Sequence, residues 1–146
     1  MWLRHLRIRG GGFRYGLLQT IRQYAGERLA ERGEAETIAR RHALAFLDFA
    51  RRAEVDPMGD VLHRLEELGT DHDNVRAALA WASEHEPDAV ALPLAAAYRW
   101  FWYYRILWSE GLRLTTLVLE RASPTPSRER ANVLAAAGTY AAYIGE

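Results

Sequence analysis

His63, His72 and His85, with Asp71 and Asp73 among them, are residue types that ligate divalent transition metals. No two histidines stand four residues apart, the interval that sets two imidazoles on one helical face, so the expectation is no metal site. Asp71 and Asp73 read instead as caps at a helix start. Glu66 and Glu67 beside Arg64 form a solvated helix face with weak ion pairs, and no acid–base role is assigned to them. Ser83 and Ser109 have no base placed to activate a hydroxyl. Gly10-Gly11-Gly12 lacks a following Lys-Ser or Lys-Thr and does not lead from an apolar strand into a helix, which excludes a phosphate-binding loop. With no cysteine there is no thiolate nucleophile, thiolate metal site or disulfide. The chain is read as a non-enzyme with no catalytic residue, no cofactor and no metal.

One cluster has binding potential. Trp100-Phe101-Trp102-Tyr103-Tyr104, followed by Trp108, supplies rings that can stack on a partner. Consecutive aromatics on a helix point in every direction, so most must pack inward and a few are left for the surface. Trp100, Tyr103, Tyr104 and Trp108, with Tyr140 and Ile144 on the last helical stretch, are the candidate partner-binding residues.

These residues are carried by a chain of 146 residues, near the size of one ordinary domain. Hydrophobic residues make up 49% and charged residues 26%, the balance of a folded protein. The formal net charge is zero, which argues against the whole domain neutralising nucleic-acid phosphates. Every basic residue is arginine, a sign of codon bias more than of function. The start has no apolar run of signal-peptide length, and the longest apolar stretch, residues 90–101, is broken by Pro93 and Arg99. A cytoplasmic protein with no membrane segment is expected.

Helical periodicity accounts for most of the chain. Residues 18–32 place Leu18, Ile21, Ala25 and Leu29 on one face and stop at Gly33, and residues 34–53 repeat the pattern. Asp60 caps a third helix that Gly69 should end. The fourth, after Asp71-His72-Asp73-Asn74, carries Val75, Ala78, Leu79 and Ala82 as its stripe, with Trp81 expected to be largely buried, and Pro87 stops it. A fifth follows Asp88 through the aromatic run, a sixth starts with Ser109 as its cap, and the linker 123–127 leads to a seventh over 128–144. Before them, a glycine turn precedes a short strand or half-hairpin near Phe13. Arg4, Arg7, Arg9 and Arg14 there give the alternative reading, a nucleic-acid-binding fragment. Helix, short turn, helix, repeated, predicts an all-α fold of antiparallel helix pairs stacked as an α-solenoid.

The stretch Phe13-Arg14-Tyr15-Gly16-Leu17-Leu18-Gln19-Thr20-Ile21-Arg22-Gln23-Tyr24-Ala25 resembles the end of the winged-helix region of bacterial signal-transduction ATPases with numerous domains, including LuxR-type transcriptional regulators. Arg41-His42-Ala43, and above all Asp71-His72-Asp73-Asn74-Val75-Arg76-Ala77-Ala78-Leu79-Ala80-Trp81, extend the likeness. The resemblance implies a winged-helix remnant over 1–17 and tetratricopeptide-like helices over 18–146, with Gly111 where helices approach closely. It implies a regulatory, signal-transducing segment that binds a protein partner or a second copy of itself. The nucleotide-binding motifs of such proteins are absent, so ATP hydrolysis is not expected. For self-association, Val133, Leu134, Ala137, Tyr140, Ala141 and Ile144 offer an apolar side of the last helix to a homodimer.

Overall fold

The computed structural model describes the backbone of Leu3–Arg7, Phe13–Leu17 and residues 19–145, and side chains from Thr20 onward apart from Arg22. The chain divides into two compact units, residues 1–38 and 39–146.

The first unit holds a β-hairpin, where sequence reasoning expected a short strand or half-hairpin. Strand β1 (Leu3–Arg7) pairs antiparallel with β2 (Phe13–Leu17), with Leu3 opposite Leu17 and Arg7 opposite Phe13. The triple glycine between them, and Arg9, lie outside the described residues. Helix α1 (Gln19–Glu31) ends as expected at Gly33, whose φ of 69° is the left-handed conformation that glycine adopts without steric cost. Glu34 N–H closes the turn on Leu29 O at 2.9 Å.

Helix α2 (Ala35–Arg52) begins in the first unit and continues into the second, where it buries Ala43, Leu47 and Ala50. The second unit then adds α3 (Val61–Thr70), α4 (His72–His85), α5 (Leu92–Tyr104), α6 (Trp108–Arg121) and α7 (Arg128–Ile144). Its described residues form helices and connecting turns only, as the all-α expectation requires. Helix α5 is the centre and packs against α3, α4, α6 and α7. Being apolar on every side, it buries Leu94, Ala95, Tyr98, Phe101 and Trp102 together.

Several boundaries differ from the sequence reading. Gly69 does not end α3: the helix continues to Thr70, and Asp71 both closes it and opens α4. Asp60 caps α3 by accepting from His63 N–H at 3.2 Å, whereas Asp71 accepts from Asn74 Nδ2 at 2.8 Å and makes no side-chain cap on α4. Between α4 and α5 the chain forms a widened π-helical turn, Pro87–Ala91, immediately before Pro93, which has no amide for the ordinary helical bond. Ser109 is not a cap, because α6 starts one residue earlier, behind Leu107. The α5–α6 corner is turned by Ile106 at φ 58°, with Leu107 N–H bonded to Trp102 O at 2.9 Å. Trp81 is only half-buried, stacked on His85 with ring centroids 4.9 Å apart, because Ala78, Leu79 and Ala82 take the inward face.

Gly111 stands where expected. A Cβ there would lie 2.8 Å from the Tyr140 ring and 3.0 Å from Trp102 Cβ, so α6 meets both neighbours through its backbone. At Gly138, on α7, a Cβ would meet nothing within 4 Å. One substitution should therefore have opposite signs at the two sites. Gly138→Ala should gain about 1 kcal/mol from helix propensity, and Gly111→Ala should lose about 1–3 kcal/mol to overpacking. Urea midpoints of the two variants check this.

Candidate interaction surface

The most polar assembly inside the second unit centres on His72. Its Nδ1 lies 3.0 Å from the Tyr98 hydroxyl and its Nε2 3.3 Å from the Glu110 carboxylate, while Arg76 Nε reaches the same carboxylate at 3.1 Å. Tyr98 also donates to the Leu68 carbonyl at 3.4 Å, so one cluster ties α3, α4, α5 and α6. Burial, then the Glu110 charge, pushes the Tyr98 hydroxyl well above its ordinary value and keeps it protonated. The arrangement presents no activated nucleophile. Among the described residues no group of three histidines, cysteines, aspartates or glutamates is placed to hold a metal ion.

The aromatic candidates do not gather into one site. Trp100 and Tyr103 line a cavity of about 190 Å³ along the α5–α7 seam, with Arg99 over the Trp100 ring at 5.4 Å. Tyr104 lines a different hollow, beside His72 and Ile106. Trp108 donates from Nε1 to the Tyr103 carbonyl at 3.2 Å and stacks on Tyr143, with ring centroids 4.5 Å apart. Ile144 is half-buried. Tyr140 faces inward at 1% exposure, and its hydroxyl, which burial holds above its ordinary value, donates to the Arg99 carbonyl. Val133 is likewise buried, so the inner side of α7 is satisfied by α5 and α6.

The outer side of α7, of which the sequence reading named only Leu134, is what sequence reasoning otherwise missed. Ala131, Leu134, Ala135, Gly138, Thr139, Ala142 and Tyr143 are all exposed and fall at helical spacing on one stripe. Leu134 and Tyr143 keep 50% and 53% of their surface in solvent. No charged residue occurs between Arg130 and Glu146, so neither face of this helix carries the solvated polar side that an exposed helix ordinarily shows. That charge-free run was visible in the sequence. Tyr143 is further tied to Tyr103 hydroxyl to hydroxyl at 3.2 Å, a bond that holds the Tyr103 hydroxyl above its ordinary value.

His42, on α2, is half-buried against Phe46, with ring centroids 4.7 Å apart. Desolvation lowers its pKa, partly offset by a hydrogen bond with Asn74. The unfolded chain thus takes up this proton first as pH falls below about 6.5, the ordinary imidazole value, so stability should decline on acidification. His42→Leu should show a smaller fall in urea midpoint between pH 7.5 and pH 5.5 than the parent chain.

No family model matches the chain, and no solved structure matches it. It is 36% identical over 110 residues to proteins of Mycobacterium bovis and of Mycobacterium tuberculosis strain H37Rv, whose names assign them, provisionally, to the HTH-type transcriptional regulators. The match covers 75% of this chain and 12% of each relative. The chain is thus similar to one segment of much longer regulators. Among the described residues no helix is long and apolar enough to cross a membrane.

Proposed function

We propose that this chain is a non-catalytic docking segment of a cytoplasmic signal-transducing transcriptional regulator. Its helices act as a tetratricopeptide-like stack, and the outer face of α7 receives a helix from a second copy of the chain. The observation that carries this reading is the uncharged, uncovered stripe of α7, with Leu134 and Tyr143 standing out from small residues that let a second helix approach closely. Covering apolar surface is favourable by about 25 cal/mol per Å². A second copy of the chain, related by a two-fold axis, is the simplest partner. The mycobacterial relatives support the regulatory role by name, and the His72 cluster supports a structural use of the polar interior.

Sedimentation velocity across the micromolar range tests the proposal. The parent chain should associate, and Leu134→Glu combined with Tyr143→Glu, both at exposed positions, should leave a folded monomer. A parent chain that stays monomeric throughout, or a variant that associates as before, would overturn the second-copy reading.

The hairpin favours a second reading, because its two strands carry Arg4, Arg7 and Arg14, whose side chains lie outside the described residues. An HTH-type name for the relatives points the same way, and zero net charge points against it. If duplex DNA is the partner, a mobility shift seen at 50 mM salt should fade by 200 mM and vanish when the three arginines become alanine. No shift at 50 mM salt excludes it.

A further inference from the structure

The cavity at Trp100 and Tyr103 does not end there. It adjoins a second hollow of about 130 Å³ that shares Arg99 and Asn132 with it and is otherwise lined by residues including Arg51, Arg128, Glu54 and Glu129. The two lie side by side along the α5–α7 seam, with Arg99 and Asn132 in the wall of both, and are taken together as one groove. Together they reach the lower end of the volumes in which proteins hold small ligands, about 300–1,000 Å³.

The ends of this groove differ in chemistry. One end is apolar, a corner made by the Trp100 and Tyr103 rings, which meet edge to face at 86°, over the small side chains of Ala135 and Ala136. The other is cationic: Glu54 is already engaged by Arg99 at 2.8 Å, which leaves the exposed Arg51 and Arg128 guanidiniums facing a single further carboxylate, Glu129. Asn132 stands at the junction, half-buried, with a side-chain amide that forms no hydrogen bond to another described residue. From the level of Ala135 to Arg128 is seven residues of helix, about 10 Å at 1.5 Å per residue.

We propose that this groove binds a small organic anion: a flat apolar ring joined by a short chain to one carboxylate. The ring sits in the corner between Trp100 and Tyr103, its face on one and its edge on the other, the Asn132 amide meets the connecting chain, and the carboxylate pairs with Arg51 and Arg128. An aromatic face supplies affinity without orientation, and the guanidiniums supply orientation, because a planar donor fork matches a carboxylate in two parallel bonds. The site is complete within one copy of the chain, so it does not depend on the docking role of α7, although Ala135 and Thr139 belong to both the groove wall and the outer stripe.

The experiment uses the full chain and two probes, indole-3-butyrate and its neutral counterpart indole-3-butyramide, titrated by calorimetry and by protein-observed NMR. The carboxylate should bind at least tenfold more tightly than the amide. Arg51→Gln with Arg128→Gln, both at exposed positions, should bring the two probes to equal affinity. Thr139→Trp, which fills the ring end from an exposed position, should abolish binding of both. Equal binding of the two probes to the parent chain, binding unaffected by Thr139→Trp, or no binding at millimolar concentration overturns the proposal. Circular dichroism of each variant verifies the fold, and sedimentation of the same samples separates a failure of this site from a failure of self-association.

Discussion

The second unit depends on the contact between Tyr140 and the bare backbone of Gly111. Tyr140 sits on α7, lays its ring edge where a Cβ of α6 would otherwise stand, and delivers its hydroxyl to a carbonyl of α5. One side chain thus fixes the separation of three helices and satisfies its own polar atom in doing so, which a phenylalanine in the same place would not do. Because burial raises the pKa of this hydroxyl, the donor is kept at alkaline pH where an exposed tyrosine would ionise. The inner face of α7 is committed to this contact, and only its outer face remains for anything else.

The polar interior follows the same economy. His72, Tyr98, Glu110 and Arg76 are residue types that elsewhere perform catalysis, but here each is occupied by the others and by a helix carbonyl. Their contribution is to join four helices at one point, with Tyr98 buried but His72, Arg76 and Glu110 partly exposed, where charged groups cost less desolvation than they would in a dry core. The proposed binding roles therefore fall to surfaces: a charge-free helix stripe and a seam with one aromatic and one cationic end.

Much of the fold was legible in the residues because the signals were local. Gly33 and Asp60 each act within one turn, and the structure places a left-handed stop and a side-chain cap at those residues. Gly69 misled because a glycine inside a helix costs only about 1 kcal/mol, which burial of Leu65 and Leu68 on the same helix outweighs. Ile106 was invisible, since a β-branched residue is the last choice for positive φ. At the surface, the sequence singled out a group of aromatics but not their directions. Tyr140 and Tyr143 are three residues apart on one helix, and only packing against α6 decides that the first goes in and the second stays out. The outer stripe escaped notice for a different reason, in that its evidence was the absence of charge over a long run, and small residues draw no attention singly.

Ile106 gives the α5–α6 corner a property that its neighbours lack. The connection has only Arg105, Ile106 and Leu107 to reverse direction, and the reversal is made by backbone dihedrals rather than by anything the isoleucine side chain touches inside the core, as its 68% exposure indicates. A corner of that kind has no slack, so a single inserted or deleted residue would rotate α6 about its axis by about 100° and carry Gly111 away from Tyr140. The proline-containing connection 123–127, longer and largely solvent-facing, can absorb such a change. Length variation among descendants of this chain should therefore collect between α6 and α7, while α5 and α6 travel through evolution as a unit of fixed length.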